Sequence, residues 1–455
     1  MMHLDVGTLC RIQFGLTAAF HFLFPPISIG LAWLLVIVEW RAWKRGDPVA
    51  DAAGRFFGKI LGLTFVVGVA SGIPMEFQFG TNWSRYSKFV GDIFGAPLAA
   101  EGVFAFFLES GFLGLYLFGR KRVAKKWHVF SIFMVAFGST MSAFWILAAN
   151  SWMQTPAGYV IRNGRAELTS FYAAIFNASM WPRFFHTLFA AFVTGAFFMA
   201  GISAAVLLRQ RRSAVARYTL KLAVVFGTVV SIMEVFPFGH LHAKEVAHEQ
   251  PAKFAAIEGL YTSRSSAPLV MFAVPFSVPP TLKAQAEVPG LLSWLAFGDI
   301  HARIKGINEF PADQIPPLWM TFVSFHNMVA LGFYFIFVMV WASIRLRSGT
   351  LCEGTRFLKL LVISIPLPLA ACELGWMAAE VGRQPWAVYG VLRTADAFSS
   401  NLSGGIVLTS ILMFSFIYLI LLVLYLHLLR EKVRIGPDAM DEPELTPAGR
   451  EELAV

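Results

Sequence analysis

Residues 184–208 read FFHTLFAAFVTGAFFMAGISAAVLL, a stretch with no Asp, Glu, Lys or Arg and one titratable side chain, His186. An α-helix of about 20 residues crosses the roughly 30 Å hydrocarbon layer of a bilayer, and this run is long enough to do so. It reads as a membrane span with a histidine inside it. The pattern recurs along the chain. Apolar runs lie near residues 15–40, 56–78, 97–118, 128–150, 184–208, 218–238, 318–344, 357–380 and 403–429, nine candidate spans. Transmembrane barrel strands, at about 10 residues, are far shorter. The expected fold is therefore all-α, a polytopic transmembrane helical protein.

Composition agrees. The 455 residues are 57% hydrophobic and only 14% charged, with a mean hydropathy of +0.63, outside the balance of a water-soluble domain. The net charge of +9 does not point to nucleic acid, because the basic residues sit in short clusters between apolar runs. Arg41, Lys44 and Arg45 follow the first span, Arg120 to Lys126 the third, and Arg209, Arg211 and Arg212 the fifth. Arg345, Arg347 and Arg356 follow the seventh, and Arg430, Lys432 and Arg434 the ninth. Positive residues favour the cytoplasmic side, so every odd-numbered span is expected to end there, with the N-terminus outside and the C-terminus inside. The first run is too long, and lacks the basic start and small-residue cleavage pattern, for a removable signal peptide. Cys10, Cys352 and Cys372 are widely separated and suggest neither a disulfide framework nor a zinc site.

Organisation follows from the spans. Residues 1–238 hold the first six, 239–317 form a long polar, proline-punctuated outer loop, 318–434 hold the last three, and 435–455 read as a short solvated cytoplasmic tail. A connection as long as 239–317 is usually functional or disordered.

Ionisable side chains in the hydrocarbon zone are costly, and they mark functional positions by default. His21 follows the entrance to the first span, His186 opens the fifth, Met328 lies in the outer half of the seventh, and Glu380 closes the eighth. Each has a plain structural reading: a bridging histidine between helices, a core methionine, a glutamate near a helix end. Their shared outer depth favours another. Imidazole and thioether are the usual axial donors to haem iron, a His/Met pair suits a low-spin electron-transferring haem, and a single donor leaves one iron face open. Glu101 and Glu109 on the third span lie two helical turns apart, about 12 Å along the axis, and on roughly one side. Carboxyls so spaced are able to pass protons along a span.

At these residues the chain resembles subunit I of the cytochrome bd family of quinol oxidases. GRQPW at 382–386, preceded by Trp376 and Glu380, reproduces a signature of that family, and MEFQFGTNW at 75–83 and WILAANSWMQ at 145–154 match two further blocks. The resemblance runs from about Arg11 to about Leu429, with a short outer loop. It implies that His186 and Met328 ligate a low-spin haem b, and that His21 and Glu380 serve a high-spin haem b and a haem d, or a third haem b in its place, without dividing the two ligands between the two haems. It implies that Glu101 and Glu109 transfer protons, that Arg11, Glu76, Trp376 and Arg383 lie near the haems, and that Lys253 and Glu258 take part in quinol oxidation. From the residues alone that last pair reads as an exposed helical ion pair.

The expected activity is that of a multi-pass oxidase of the bacterial cytoplasmic membrane, oxidising quinol outside and reducing oxygen to water with cytoplasmic protons, thereby contributing to proton motive force. Its expected partners are oxidase subunit II as a heterodimer partner, a small accessory subunit, quinol, oxygen and membrane lipid, and no nucleic acid. An ion-coupled secondary transporter is the alternative, since membrane carboxylates mark carriers too; no inverted repeat supports it. One departure stands out: family members carry Arg two residues before the axial Met, and this chain has His326, pointing roughly 160° away from Met328. His240, His242 and His248 are expected on a solvated face.

Overall fold

The computed structural model describes residues 5–277 and 280–437. The end of the expected tail, 438–455, lies outside them. Among the described residues nine helices are long and apolar enough to span a membrane: Val6–Arg45, Pro48–Thr81, Ser84–Gly119, Lys125–Gln154, Met180–Arg209, Ala214–Glu249, Leu318–Arg347, Thr355–Val381 and Gly404–Ile435. They are called spans one to nine below; the first eight contain their expected runs, and the ninth starts one residue after its own.

Span five is the central pillar, with 83% of its apolar window buried, whereas span nine, at 17%, lies on the periphery. Without a hydrophobic force between helices in lipid, close packing needs small residues at the crossing. Spans one and five meet backbone to backbone at Gly30 and Gly195, where a Cβ on Gly30 would stand 2.2 Å from the Ala191 carbonyl oxygen. Any side chain there would force the pair apart.

Several spans depart from regular helix. Span one breaks between Val6–Phe22 and Pro25–Arg45, because Pro25 and Pro26 offer no backbone N–H, and the break falls just after His21. Span eight breaks between Thr355–Ile363 and Leu367–Val381, around Pro366. Spans three and six each contain a π-helical turn, Glu101–Phe106 and Glu234–Gly239, and both turns begin on a glutamate. Such turns are rare and often mark functional positions. The regular spacing expected between Glu101 and Glu109 is thus corrected: the wider turn lies between them.

At the Arg-rich face, spans one to four are tied by a buried polar lock. Glu39, 3% exposed, pairs with Arg120 and accepts the Tyr116 hydroxyl at 2.9 Å, while Arg120 reaches Asp51 at 2.7 Å. His128 Nδ1 stands 3.6 Å from Glu39. Arg120 therefore turns inward, away from the solvated cluster to which its place in sequence assigned it.

The opposite face carries the long connections. The 239–317 segment is folded, not a loose loop. Span six runs on as helix to Glu249, eleven residues past the expected boundary at 238, and helices Pro251–Glu258 and Leu291–Phe297 follow. Between them lies an antiparallel hairpin, Leu269–Ser277 with Pro280–Val288. The segment has an apolar core of its own around Phe254, Ile257, Leu260, Leu292 and Ile304. Two short hairpins, Tyr159–Arg162 with Arg165–Leu168 and Trp386–Val388 with Leu392–Arg393, lie in the connections on the same face.

Candidate functional site

His186 lies two turns inside span five, with Nδ1 2.8 Å from Glu234 Oε1 at the start of the π-helical turn, off the line of an ideal hydrogen bond. A carboxylate beside Nδ1 orients an imidazole so that Nε2 is left for a metal. The His242 ring stands 5.2 Å from it, and Gly239 leaves space beside the ring, since a Cβ there would lie 3.7 Å from His186 Cε1. Met328 on span seven points its sulfur at span eight, where a Cβ on Gly375 would lie 2.9 Å from Sδ. Gly332, one turn past Met328, abuts Val235, so span seven flanks the π-helical turn that faces His186.

His21 sits at the break in span one. Its Nδ1 is 3.1 Å from both the Gly68 carbonyl and Ser71 Oγ, and its ring fills the space left by Gly72. Phe22 packs edge-on against Trp376 at 5.3 Å, which joins the His21 region to span eight.

Glu380 ends span eight within a clasp. Its Oε1 accepts Asn150 Nδ2 at 3.1 Å and Gln154 Nε2 at 3.0 Å, and its Oε2 accepts Arg383. Asn150 and Gln154 stand four residues apart on span four, and so on one face. Gln154 is fully buried, and its Oε1 accepts the Lys253 ammonium at 2.7 Å, while Lys253 also donates to Gln250 Oε1 at 2.7 Å. A continuous hydrogen-bonded chain thus runs from Lys253 through Gln154 to Glu380.

Lys253 and Glu258 are not an exposed helical ion pair. They are 3% and 4% exposed, and no ion pair joins them among the described residues. Burial, with the neighbouring Arg183 charge second, pulls the Lys253 ammonium well below the ordinary amine value. Burial pushes the Glu258 carboxyl up to about 8, and its Oε2 has no hydrogen-bond partner. A cleft of 370 Å³ opens beside this cluster, lined by Gln154, Tyr159, Glu249 and Tyr389 among others.

Glu101 accepts Ser142 Oγ at 2.6 Å, and Glu109, 7% exposed, lies against Gly138, so both carboxyls face span four. Glu76 is within electrostatic reach of Glu101. Arg11 is exposed on the flank of span one. Arg383 is buried at 6% exposure, with Nε and Nη1 unpaired.

One expectation about histidines is corrected, and the place of His326 is defined. His242 is half-buried against His186 and not on a solvated face, because span six continues as helix past 238. His326 stacks on Phe322 with ring centroids 3.9 Å apart, its nitrogens 3.1 Å from the Phe322 carbonyl and 3.0 Å from that of Val270. It pins the hairpin to span seven and supplies no free cation. The sequence reading also passed over Arg183, Glu234 and Gln154. Glu234 carried a visible signal, a charge inside the sixth apolar run three residues before Pro237, and Arg183 stood next to Pro182 at the edge of the fifth, while Gln154 carried none beyond its motif.

Haem suits this arrangement. The donors are a histidine oriented by a carboxylate, a thioether, a second histidine and a carboxylate, with Gly72 and Gly375 making room for the His21 ring and the Met328 sulfur. Buried guanidinium N–H groups of Arg183 and Arg383 have no partner, as an anionic group such as a porphyrin carboxylate requires.

Nine spans long and apolar enough to cross a membrane define a polytopic membrane protein of the helical class. Residues 9–437 match the family model described as cytochrome bd terminal oxidase subunit I, and the chain belongs to that family. It is 40% identical over 440 residues to cytochrome bd ubiquinol oxidase subunit 1 of Bacillus subtilis (strain 168), covering 94% of each chain. It is 37% identical to cytochrome bd-II ubiquinol oxidase subunit 1 of Escherichia coli (strain K12), covering 97% of this chain and 99% of that one. The structure of bd oxidase from Geobacillus thermodenitrificans superposes with a TM-score of 0.89 at 31% identity, over 96% of this chain and all of that one. The protein is a quinol oxidase subunit and a multi-pass bacterial membrane protein, and the transporter alternative is not favoured.

Proposed function

We propose that the chain oxidises quinol at the face carrying the 239–317 segment, which is the outer face, and draws the protons for oxygen reduction from the cytoplasm. What carries the reading is the buried chain of hydrogen bonds from Lys253 through Gln154 to Glu380, which couples that segment directly to a candidate iron ligand.

His186 and Met328 hold a low-spin haem b; His21 and Glu380 together hold the high-spin haem b and haem d, or a third haem b in place of haem d. Bound haem supplies one-electron transfer and an iron site for reducing oxygen to water. Lys253, through its ammonium, binds a quinol oxygen, and Glu258 takes a quinol proton. Its raised pKa suits that task, since a base works best when its pKa lies near the ambient pH. Glu109 and Glu101 pass protons inward from the cytoplasmic side, toward span four and Ser142. Opposite sides release and take up protons, so turnover contributes to proton motive force.

Residues 1–238 and 318–434 form the haem-holding body and 239–317 the quinol segment, with 435–455 on the cytoplasmic side. Subunit II completes the enzyme as a heterodimer, joined by a small accessory subunit. The test is optical and catalytic together. The purified complex should show haem bands in reduced-minus-oxidised spectra and quinol-driven oxygen uptake, and His186→Ala should lose the low-spin bands. A colourless complex, or an unchanged spectrum in the variant, overturns the reading.

A further inference from the structure

Among the described residues, two buried guanidinium groups with unpartnered N–H donors, Arg183 and Arg383, lie in one neighbourhood, while a third, Arg345, stands at the far end of span seven. Arg183 is 2% exposed, and its Nε and Nη2 have no hydrogen-bond partner. These two atoms lie along one edge of the guanidinium, the edge that takes a carboxylate in two parallel hydrogen bonds. Arg383 is 6% exposed and, with Nη2 committed to Glu380, also leaves Nε and Nη1 free. Arg183 feels the charges of Glu245, Glu380 and Arg383, and acts in turn on Lys253.

Two guanidinium groups, Arg183 and Arg383, therefore share this buried region with Lys253 and with two carboxylates, Glu245 and Glu380. Glu380 is already engaged by Arg383, Asn150 and Gln154, and Ser179 donates to Glu245. Buried charge without a counter-ion is expensive, and a guanidinium does not escape it by losing its proton. With both carboxylates engaged elsewhere, the free guanidinium edges of Arg183 and Arg383 call for an anionic acceptor.

Position says which. Arg183 precedes His186 by three residues on span five, so the two share a helix face, with Arg183 one turn nearer the face that carries the long connections. Haem carries two carboxylates, and the free Arg183 edge is the group that would hold one of them if His186 holds the iron. We propose that Arg183 binds a carboxylate of the low-spin haem through its free Nε/Nη2 edge, seconded by Arg383, and raises that haem's reduction potential. A fixed positive charge beside the haem favours the reduced state. His326, sealed between two carbonyls, does not provide that charge.

The inference rests on His186 as an iron ligand, and the experiment separates the two. Potentiometric titration of the low-spin haem in the assembled complex is compared for wild type, Arg183→Gln, Arg183→Lys and His186→Ala, with haem content measured as the pyridine haemochromogen. Arg183→Gln should keep the haem and lower its midpoint potential by at least the equivalent of a tenfold change in the reduction equilibrium, about 59 mV for one electron. Arg183→Lys, which keeps the charge, should fall by much less. If His186→Ala loses the low-spin band while Arg183→Gln titrates like wild type, the Arg183 proposal fails alone. If His186→Ala keeps the band, the ligand reading fails first. Should Arg183→Gln not assemble, redox-difference infrared spectra of wild type and Arg183→Lys decide: loss of the two-pronged contact must shift a haem carboxylate stretch, and an unmoved band overturns the proposal.

Discussion

Replacing Glu258 by Gln should change how quinol oxidation depends on pH. The carboxyl lies in the helix Pro251–Glu258, 4% exposed, and burial pushes its pKa up to about 8. At about pH 7 only about a tenth of such a group is ionised, against nearly all of an ordinary glutamate. If the carboxylate takes the quinol proton, turnover at saturating oxygen should climb roughly fiftyfold between about pH 6 and about pH 8, following the ionised fraction. Glu258→Gln should lose most of its rate and the rising limb together, while keeping its haem spectrum. The same shift has a folding consequence of fixed sign. A pKa raised on folding gives stability that is complete below about 4.5 and is lost as pH rises through about 8, amounting to at most roughly 5 kcal/mol. Thermal unfolding in detergent should accordingly show Glu258→Gln gaining on wild type at about pH 8.5 and not at about pH 5. Oxygen uptake with a soluble quinol, measured across this range, is the primary assay. A wild-type profile flat between pH 6 and pH 8, or a variant that retains the limb, refutes the reasoning.

Gln154→Met keeps the volume of the bridge and removes its hydrogen bonds to Lys253 and Glu380; steady-state kinetics should show quinol turnover down about 10–100-fold with haem content preserved, and unchanged turnover would remove Gln154 from the coupling. Gly375→Ala places a methyl 2.9 Å from Met328 Sδ, so the low-spin haem bands should broaden or shift in the optical spectrum while the remaining bands stay as in wild type. Arg120→Met leaves Glu39 buried without its partner and should cost about 3–5 kcal/mol, read by thermal unfolding in detergent, with the haem spectrum intact.

The body of the fold was legible because lipid imposes a simple rule. Backbone groups in hydrocarbon must be satisfied within the segment, so length and apolarity alone mark the spans, and all nine were found. What stayed hidden was set by tertiary contact. Glu258 looked like half of a solvated ion pair because helical spacing says nothing of what packs over it; the apolar core around Phe254 and Ile257 buries it. His242 looked like a loop residue because the sixth apolar run fades near 238, yet the helix continues on contacts with its neighbours. Arg183 stands immediately before the fifth apolar run, and its meaning came only from the absence of partners around its guanidinium.

The irregular places in the helices and the chemistry coincide, and the coincidence has a physical cause. A regular helix in lipid consumes all its backbone groups and spaces side chains at fixed angles, so donors from several spans meet only where that regularity yields. His21 stands at the proline break of span one, Glu234 opens the π-helical turn of span six opposite His186, and Glu101 opens that of span three. Each irregular turn rotates its polar residue relative to the rest of its helix, which lets the span keep an apolar face to lipid while turning a single ionisable group inward. On this view the π-helical turn at Glu234 sets the orientation of the His186 ring, and shortening it by one residue should restore a regular helix, swing Glu234 away and weaken the low-spin haem site. Deletion of Val235 tests this directly: the low-spin bands should be lost or shifted in the reduced-minus-oxidised spectrum, and a variant that folds with those bands unchanged would show that the turn does not position the ligand.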